Sequence, residues 1–124
     1  MRPPLLMFDE TAEWDDLDVR VVIEVDGDSV EGRAQGDVTL ESRFEIVARA
    51  SLDAAGTAAG VRFGDLVGVT TGDIRGVTYV AVAIIDPITS DPLVGSAPMR
   101  HFEDGAQAVI RAVFDAVNRR AGAF

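Results

Sequence analysis

One six-residue pattern occurs almost twice in this chain. Arg49-Ala50-Ser51-Leu52-Asp53-Ala54 and Arg111-Ala112-Val113-Phe114-Asp115-Ala116 keep arginine, two alanines and aspartate at the same places, 62 positions apart. In an alanine-rich chain a hexamer alone repeats easily. A longer order recurs around these two at an offset of 62 or 63. Val30-x-Gly32-x-Ala34 falls on Leu93-x-Gly95-x-Ala97, VRVVIEV at 19–25 falls on the VAVAIID region, and Leu5-Leu6-Met7-Phe8 lands on the 67–70 stretch. Strand, Gly-x-Ala and helix returning in one order point to a structural unit used twice.

The elements of that unit can be read from periodicity. Val19, Val21, Ile23 and Val25 alternate with other residues, as a half-buried strand requires. Asp26-Gly27 then signals a tight hairpin. The return strand places Val30, Gly32, Ala34 and Gly36 on one face and Glu31, Arg33 and Gln35 on the other. Its inward face is so small that a bulky group or another backbone must approach it closely. In the second half, 66–71 reads as a short strand, 72–76 as a turn, and 77–85 as the most apolar and hence central strand. LVGSAPM at 93–99 reads as an edge-type strand, because Pro98 is tolerated only at its end.

Each half closes with a helix. The first is expected from about 38 to 55, capped by Asp37 or Thr39. Leu40, Phe44, Val47, Ala48, Leu52 and Ala55 form its apolar stripe, and Glu45–Arg49 an i,i+4 pair. The second is expected from about 105 to 120, with Asp104 as N-cap, Gln107 completing a variant capping box, and Arg119, Arg120 and Gly122 at its end. Its alanines and valines run almost all round. One sheet face cannot cover that circumference, so the sibling helix, and beyond it a second subunit, are expected to contribute. The fold class that follows is α+β: two βββα-type repeats, a mostly antiparallel sheet, and two helices packed on one face. A single domain is expected over 1–124, with repeat 1 at about 5–56 and repeat 2 at about 65–121.

Composition removes several functions. The net charge of −10 argues against nucleic acid, which needs basic surface to release counterions. All eleven basic residues are arginine, scattered along the chain. No apolar run approaches the ~20 residues of a membrane helix, and MRPPLLMF is too short an apolar stretch for a signal peptide. The absence of cysteine removes disulfides, thiolate nucleophiles and cysteine-based zinc sites. A cytoplasmic location, no membrane and no cofactor are expected. Nor is there a GxGxxG, P-loop, HExxH or GxSxG motif.

Three stretches remain. DETAEWDDLD carries six acids around the only tryptophan. It lacks calcium-loop spacing and reads as a solvated loop whose Trp14 anchors on the sheet. His101, the only histidine, precedes the last helix beside Arg100 and near Glu103 and Asp104, with no nucleophile or ligand partner at a diagnostic spacing. Finally, GRAQGD at 32–37 and GSAPMRHFED at 95–104 are equivalent loops leading into helix N-termini, where free amides suit a carboxylate. Arg33, Gly36, Asp37, Arg100, His101 and Asp104 are therefore the candidate ligand-binding residues. The competing reading is that two tight loops simply need glycine. No catalytic residue and no metal ligand is assigned.

Laid out this way, the chain resembles the C-terminal regulatory domain of the 2-isopropylmalate synthase family, the leucine allosteric or dimer domain, in a divergent, standalone form. The likeness rests on the hairpin VDGDSVEGRAQGD and on the last helix, EDGAQAVIRAVFDAVNRR, whose close is similar to the family's "ALNR" phrase; it spans roughly 18–120. It implies two βββα units, and leucine bound at a subunit interface near the strand-to-helix loops. The element order is also similar to roadblock/longin-type modules that scaffold small GTPases. The resulting expectation is a small non-catalytic ligand-binding or regulatory module acting as a homodimer, with a small carboxylate ligand or a protein partner. The alternatives are an interaction scaffold and a small lyase or isomerase using His101 and Arg100 at an interface.

Overall fold

The structure is a computed structural model that describes residues 4–100 and 104–119. The element order is β1 (Leu5–Glu13), β2 (Asp16–Val25), β3 (Asp28–Asp37), α1 (Arg43–Ala59), β4 (Asp65–Ile74), β5 (Val77–Ile85), β6 (Pro92–Pro98) and α2 (Gly105–Asn118). The α+β class and the two βββα repeats are thus present. The strands do not share one sheet. They form two antiparallel three-stranded sheets, β1-β2-β3 and β4-β5-β6. Helix α1 packs on β3 and β2, α2 packs on β6 and β5, and the two helices pack against each other. The halves therefore meet chiefly through their helices. Each first strand also carries a register shift near its start, between Leu5 and Met7 in one half and between Leu66 and Gly68 in the other.

The repeated hexamer has a clear structural role. Helix α1 approaches β3 so closely that a Cβ built on Gly32 would lie 2.7 Å from Ala54 Cβ and closer still to the backbone of Ala50 and Ala54. On α2, a Cβ at Gly95 would lie 2.8 Å from Ala116 Cα and would overlap the Ala112 carbonyl. The small inward face expected from the sequence is thus met by helix backbone. From the same turns, the Asp53 carboxylate accepts from Arg33 N at 2.9 Å, and the Asp115 carboxylate accepts from Ser96 N at 3.0 Å. Arg49 donates to Gln35 O at 2.7 Å, and Arg111 donates to Pro98 O at 2.8 Å. β3 and β6 are edge strands, whose open backbone groups invite pairing with other chains. The Arg-Ala-x-x-Asp-Ala turn seats the helix on glycine and covers that edge.

The core runs continuously through both halves, with Val19, Val21 and Ile23 of β2, Val80, Val82 and Ile84 of β5 and the facing residues of both helices buried. β5 is the central strand of its sheet, as its sequence predicts. Helix α2 buries its alanine-rich circumference within this chain, from Ala106 to Val117, with no second subunit needed. Among the described residues no helix is long and apolar enough to cross a membrane.

Several local expectations change. Helix α1 starts at Arg43, not near residue 38: Ser42 is the N-cap, and Ser42 and Glu45 form a reciprocal capping box. Asp37 instead closes a turn, accepting from Thr39 N at 2.8 Å and Thr39 Oγ1 at 2.6 Å. Leu40 consequently lies outside the helix and is 86% exposed. Arg49 pairs with Glu41, at 2.6 and 2.7 Å. The acidic stretch is not a loop but the end of β1, a turn and the start of β2; Trp14 sits at that turn with φ 55° and is 95% exposed, anchoring nothing. β4 reaches Ile74, and the turn expected at 72–76 shrinks to Arg75-Gly76, both with positive φ, like Asp26-Gly27. Asp104 is the N-cap of α2 as expected, its carboxylate accepting from Ala106 N at 2.9 Å.

Candidate functional site

The strand-to-helix loops of the two repeats come together because the helices begin next to each other. The ring of Phe44, in the first turn of α1, fills the space beside Gly105, the first residue of α2; Met99 closes the same space. Arg43 opens α1, where a cation runs against the helix dipole. Two carboxylates from elsewhere offset this. Arg43 Nε donates to Glu10 of β1 at 2.8 and 3.0 Å, its Nη2 also reaches Glu10, and Nη1 and Nη2 donate to Asp104 at 3.0 and 2.9 Å. One guanidinium thereby ties β1, the start of α1 and the cap of α2 into a joint between the repeats.

The electrostatics follow from that geometry. Glu10 first, and Asp104 second, hold the Arg43 guanidinium charged well above its ordinary value. In turn Arg43, and then the Ala106 amide, keep the Asp104 carboxyl below its usual 3.8. The Thr39 hydroxyl and amide similarly lower Asp37.

The predicted site residues are distributed unevenly around the joint. Asp104 is at its centre. Arg100 is exposed just past β6. His101 lies outside the described residues. Gly36 and Asp37 end β3; a Cβ on Gly36 would lie 2.9 Å from the Ile46 side chain and also crowd Glu41, both of them side chains rather than backbone. Arg33 is not at the joint: it stands on the outer face of the first sheet, 3.3 Å from Glu31. Sequence reading missed Arg43 and Glu10. Their separation of 33 positions carries no local signal. A cation in a helix's first turn would have been the clue, once the cap was placed at Ser42.

A second feature emerges from the two sheets' outer faces. On the first, Asp9, Arg20, Glu31 and Arg33 pair across all three strands, with Arg20 at 3.2 Å from Glu31 and 3.7 Å from Asp9. On the second, cross-strand neighbours on the outer face are Gly68 with Ala83, Thr70 with Ala81 and Gly72 with Tyr79, and Val94 continues the row on β6. None of these is charged. Val67, Gly68, Thr70, Ala81, Ala83 and Val94 line a shallow trough of about 300 Å³ there.

Among the described residues no group of three metal-ligating side chains comes together. No protein-family model matches the chain, and no curated protein matches it.

Proposed function

We propose that this chain is a small non-catalytic regulatory module that binds a small carboxylate at the joint of its repeats and works as a homodimer, a divergent counterpart of the leucine-responsive domain of the 2-isopropylmalate synthase family. The observation that carries the reading is the Arg43 bridge. A ligand carboxylate that displaces Glu10 or Asp104 from Arg43 would contact both repeats at once, taking over guanidinium donors that those carboxylates hold in the structure. A site shared by two halves suits a sensor, because any difference in affinity between their arrangements shifts the population of each.

The test is a thermal-shift panel of amino acids, 2-keto acids, nucleotides and acyl thioesters. A ligand present at ~100 times its dissociation constant stabilises the fold by about 2.7 kcal/mol, several degrees for a domain of this size. The expected result is a hit among small carboxylates, branched-chain amino acids first, that Arg43→Ala abolishes. A panel without a carboxylate hit would overturn the ligand reading. It would favour the protein-interaction scaffold, for which the uncharged middle of the second sheet's outer face speaks.

A further inference from the structure

We infer that the outer face of the second sheet, β4-β5-β6, is where a second copy of this chain docks face to face, an assignment that rests on the homodimeric reading above and names its surface. The two sheets derive from one repeated unit, yet only the first carries ion pairs across its outer face. The second has Ala81 and Ala83 at its centre, Val67 and Val94 exposed beside them at 63% and 54%, and the Tyr79 ring laid over Gly72. That ring and those small side chains leave the centre of the face low and shallow. Such a face suits sheet-on-sheet packing, in which two sheets lie ~10 Å apart with their strands about 30° from parallel.

Charge selects the occupant. A chain of net charge −10 repels its own copy through most of its surface. The middle of this face has no ionised group, its one carboxylate, Asp65, lying at the end of β4 beside Arg62, so two copies can meet there without apposing carboxylates. About a two-fold axis the exposed Val67 and Val94 of each copy can enter the trough of the other, as an isologous dimer requires.

Size sets the strength. Nine residues of β5 at ~3.3 Å each, across three strands ~4.8 Å apart, give a footprint of roughly 400 Å². That is in the range of patches that mark interaction sites. Two such faces bury on the order of 800 Å², below the ~1,000 Å² that stable complexes clear, so the dimer is a weak one that dissociates on dilution.

Sedimentation velocity on the full chain over a wide concentration range tests this. The expected result is a reversible monomer–dimer equilibrium that Ala81→Arg weakens by more than ~100-fold, since like charges brought together at an interface oppose it by several kcal/mol. Val94→Arg, at an already exposed edge position, should weaken it similarly and serves if Ala81→Arg does not fold; circular dichroism and melting report folding. Arg33→Ala on the charged face should leave the equilibrium unchanged. A wild-type chain that stays monomeric throughout overturns both the homodimer and its surface. A dimer that survives in folded Ala81→Arg and Val94→Arg leaves the homodimer standing but overturns this surface, pointing to another route such as pairing along the β4 edge.

Discussion

Gly95→Ala should unseat α2 from its sheet. The added Cβ would lie 2.8 Å from Ala116 Cα and nearer still to the Ala112 carbonyl and the Ala116 amide, all of them backbone that cannot rotate away. Ordinary contact begins near 3.4 Å, so α2 must lift by more than ~0.5 Å, forfeiting a quarter to a half of the dispersion well along the seam. Overpacking of this kind destabilises by about 1–3 kcal/mol. The lift also strains the Asp115–Ser96 and Arg111–Pro98 hydrogen bonds. Both are solvent-accessible, so their loosening adds only about 1 kcal/mol. The sum is roughly 3 kcal/mol, or a fall of ~1.5 M in the urea midpoint at an m-value near 2 kcal/mol/M. Gly32→Ala, the same lesion in the other half, should behave alike. Gly68→Ala is the control: nothing stands within 4 Å of its added Cβ, so it should be neutral or stabilising by ~0.5 kcal/mol. All are compared at one protein concentration low enough to keep the chain monomeric, because Gly68 lies on the face proposed for the dimer and a dimer couples stability to concentration. A Gly95→Ala midpoint within ~0.3 M of the parent would refute the close approach, and with it the role given to the repeated hexamer.

Asp115→Ala strips the cover from the β6 edge by freeing Ser96 N; a loss of about 1–2 kcal/mol in thermal melts, with more light scattering on heating, is expected. Asp53→Ala should do the same at β3 through Arg33 N, and melts and scattering unchanged in both would dismiss the edge-covering role. Acid titration tests the joint. Asp104 is depressed in the folded chain, mainly by Arg43, so its contribution is present above the ordinary value of 3.8 and is lost as pH falls through the folded value. Melting temperature should therefore drop below pH 3.8, and Arg43→Ala should start lower and fall less steeply; parallel curves for the two proteins would contradict the bridge.

Features that depend on periodicity or on a single turn were legible in the sequence. The alternation of 19–25, the Asp26-Gly27 turn, the central strand at 77–85 and the Asp104 cap all reflect rules that act over a few residues. The start of α1 was harder, because Asp37, Thr39 and Ser42 are all plausible caps. What decides between them is the return of the Glu45 side chain to the Ser42 amide, at 3.3 Å. The division into two sheets was not legible: alternation says which face of a strand is buried but not which strand lies beside it. Arg43–Glu10 and Arg43–Asp104 escaped for the same reason, since 33 and 61 residues separate these partners.

An internal repeat allows one further step. Where the two copies agree, the shared physics is folding: Gly32 and Gly95 admit a helix backbone, Asp53 and Asp115 take an edge amide, and Arg49 and Arg111 take an edge carbonyl. Any βββα unit that covers its own edge has use for that set, so it is uninformative about activity. Where the copies differ, folding is not the reason, because the other copy folds without the feature. The differences concentrate at two places. One is the first helical residue, Arg43 in α1 against Gly105 in α2, and only Arg43 can carry the bridge to Glu10 and Asp104. The other is the outer face of the sheets, ion-paired in one half and neutral in the other. Selection for solubility alone would favour charge on both faces, so the neutral one is best explained by something that covers it. Transplanting the first sheet's outer-face charges onto the second should therefore leave the fold intact by circular dichroism and remove only the association seen in sedimentation; a dimer that persists would refute the reasoning.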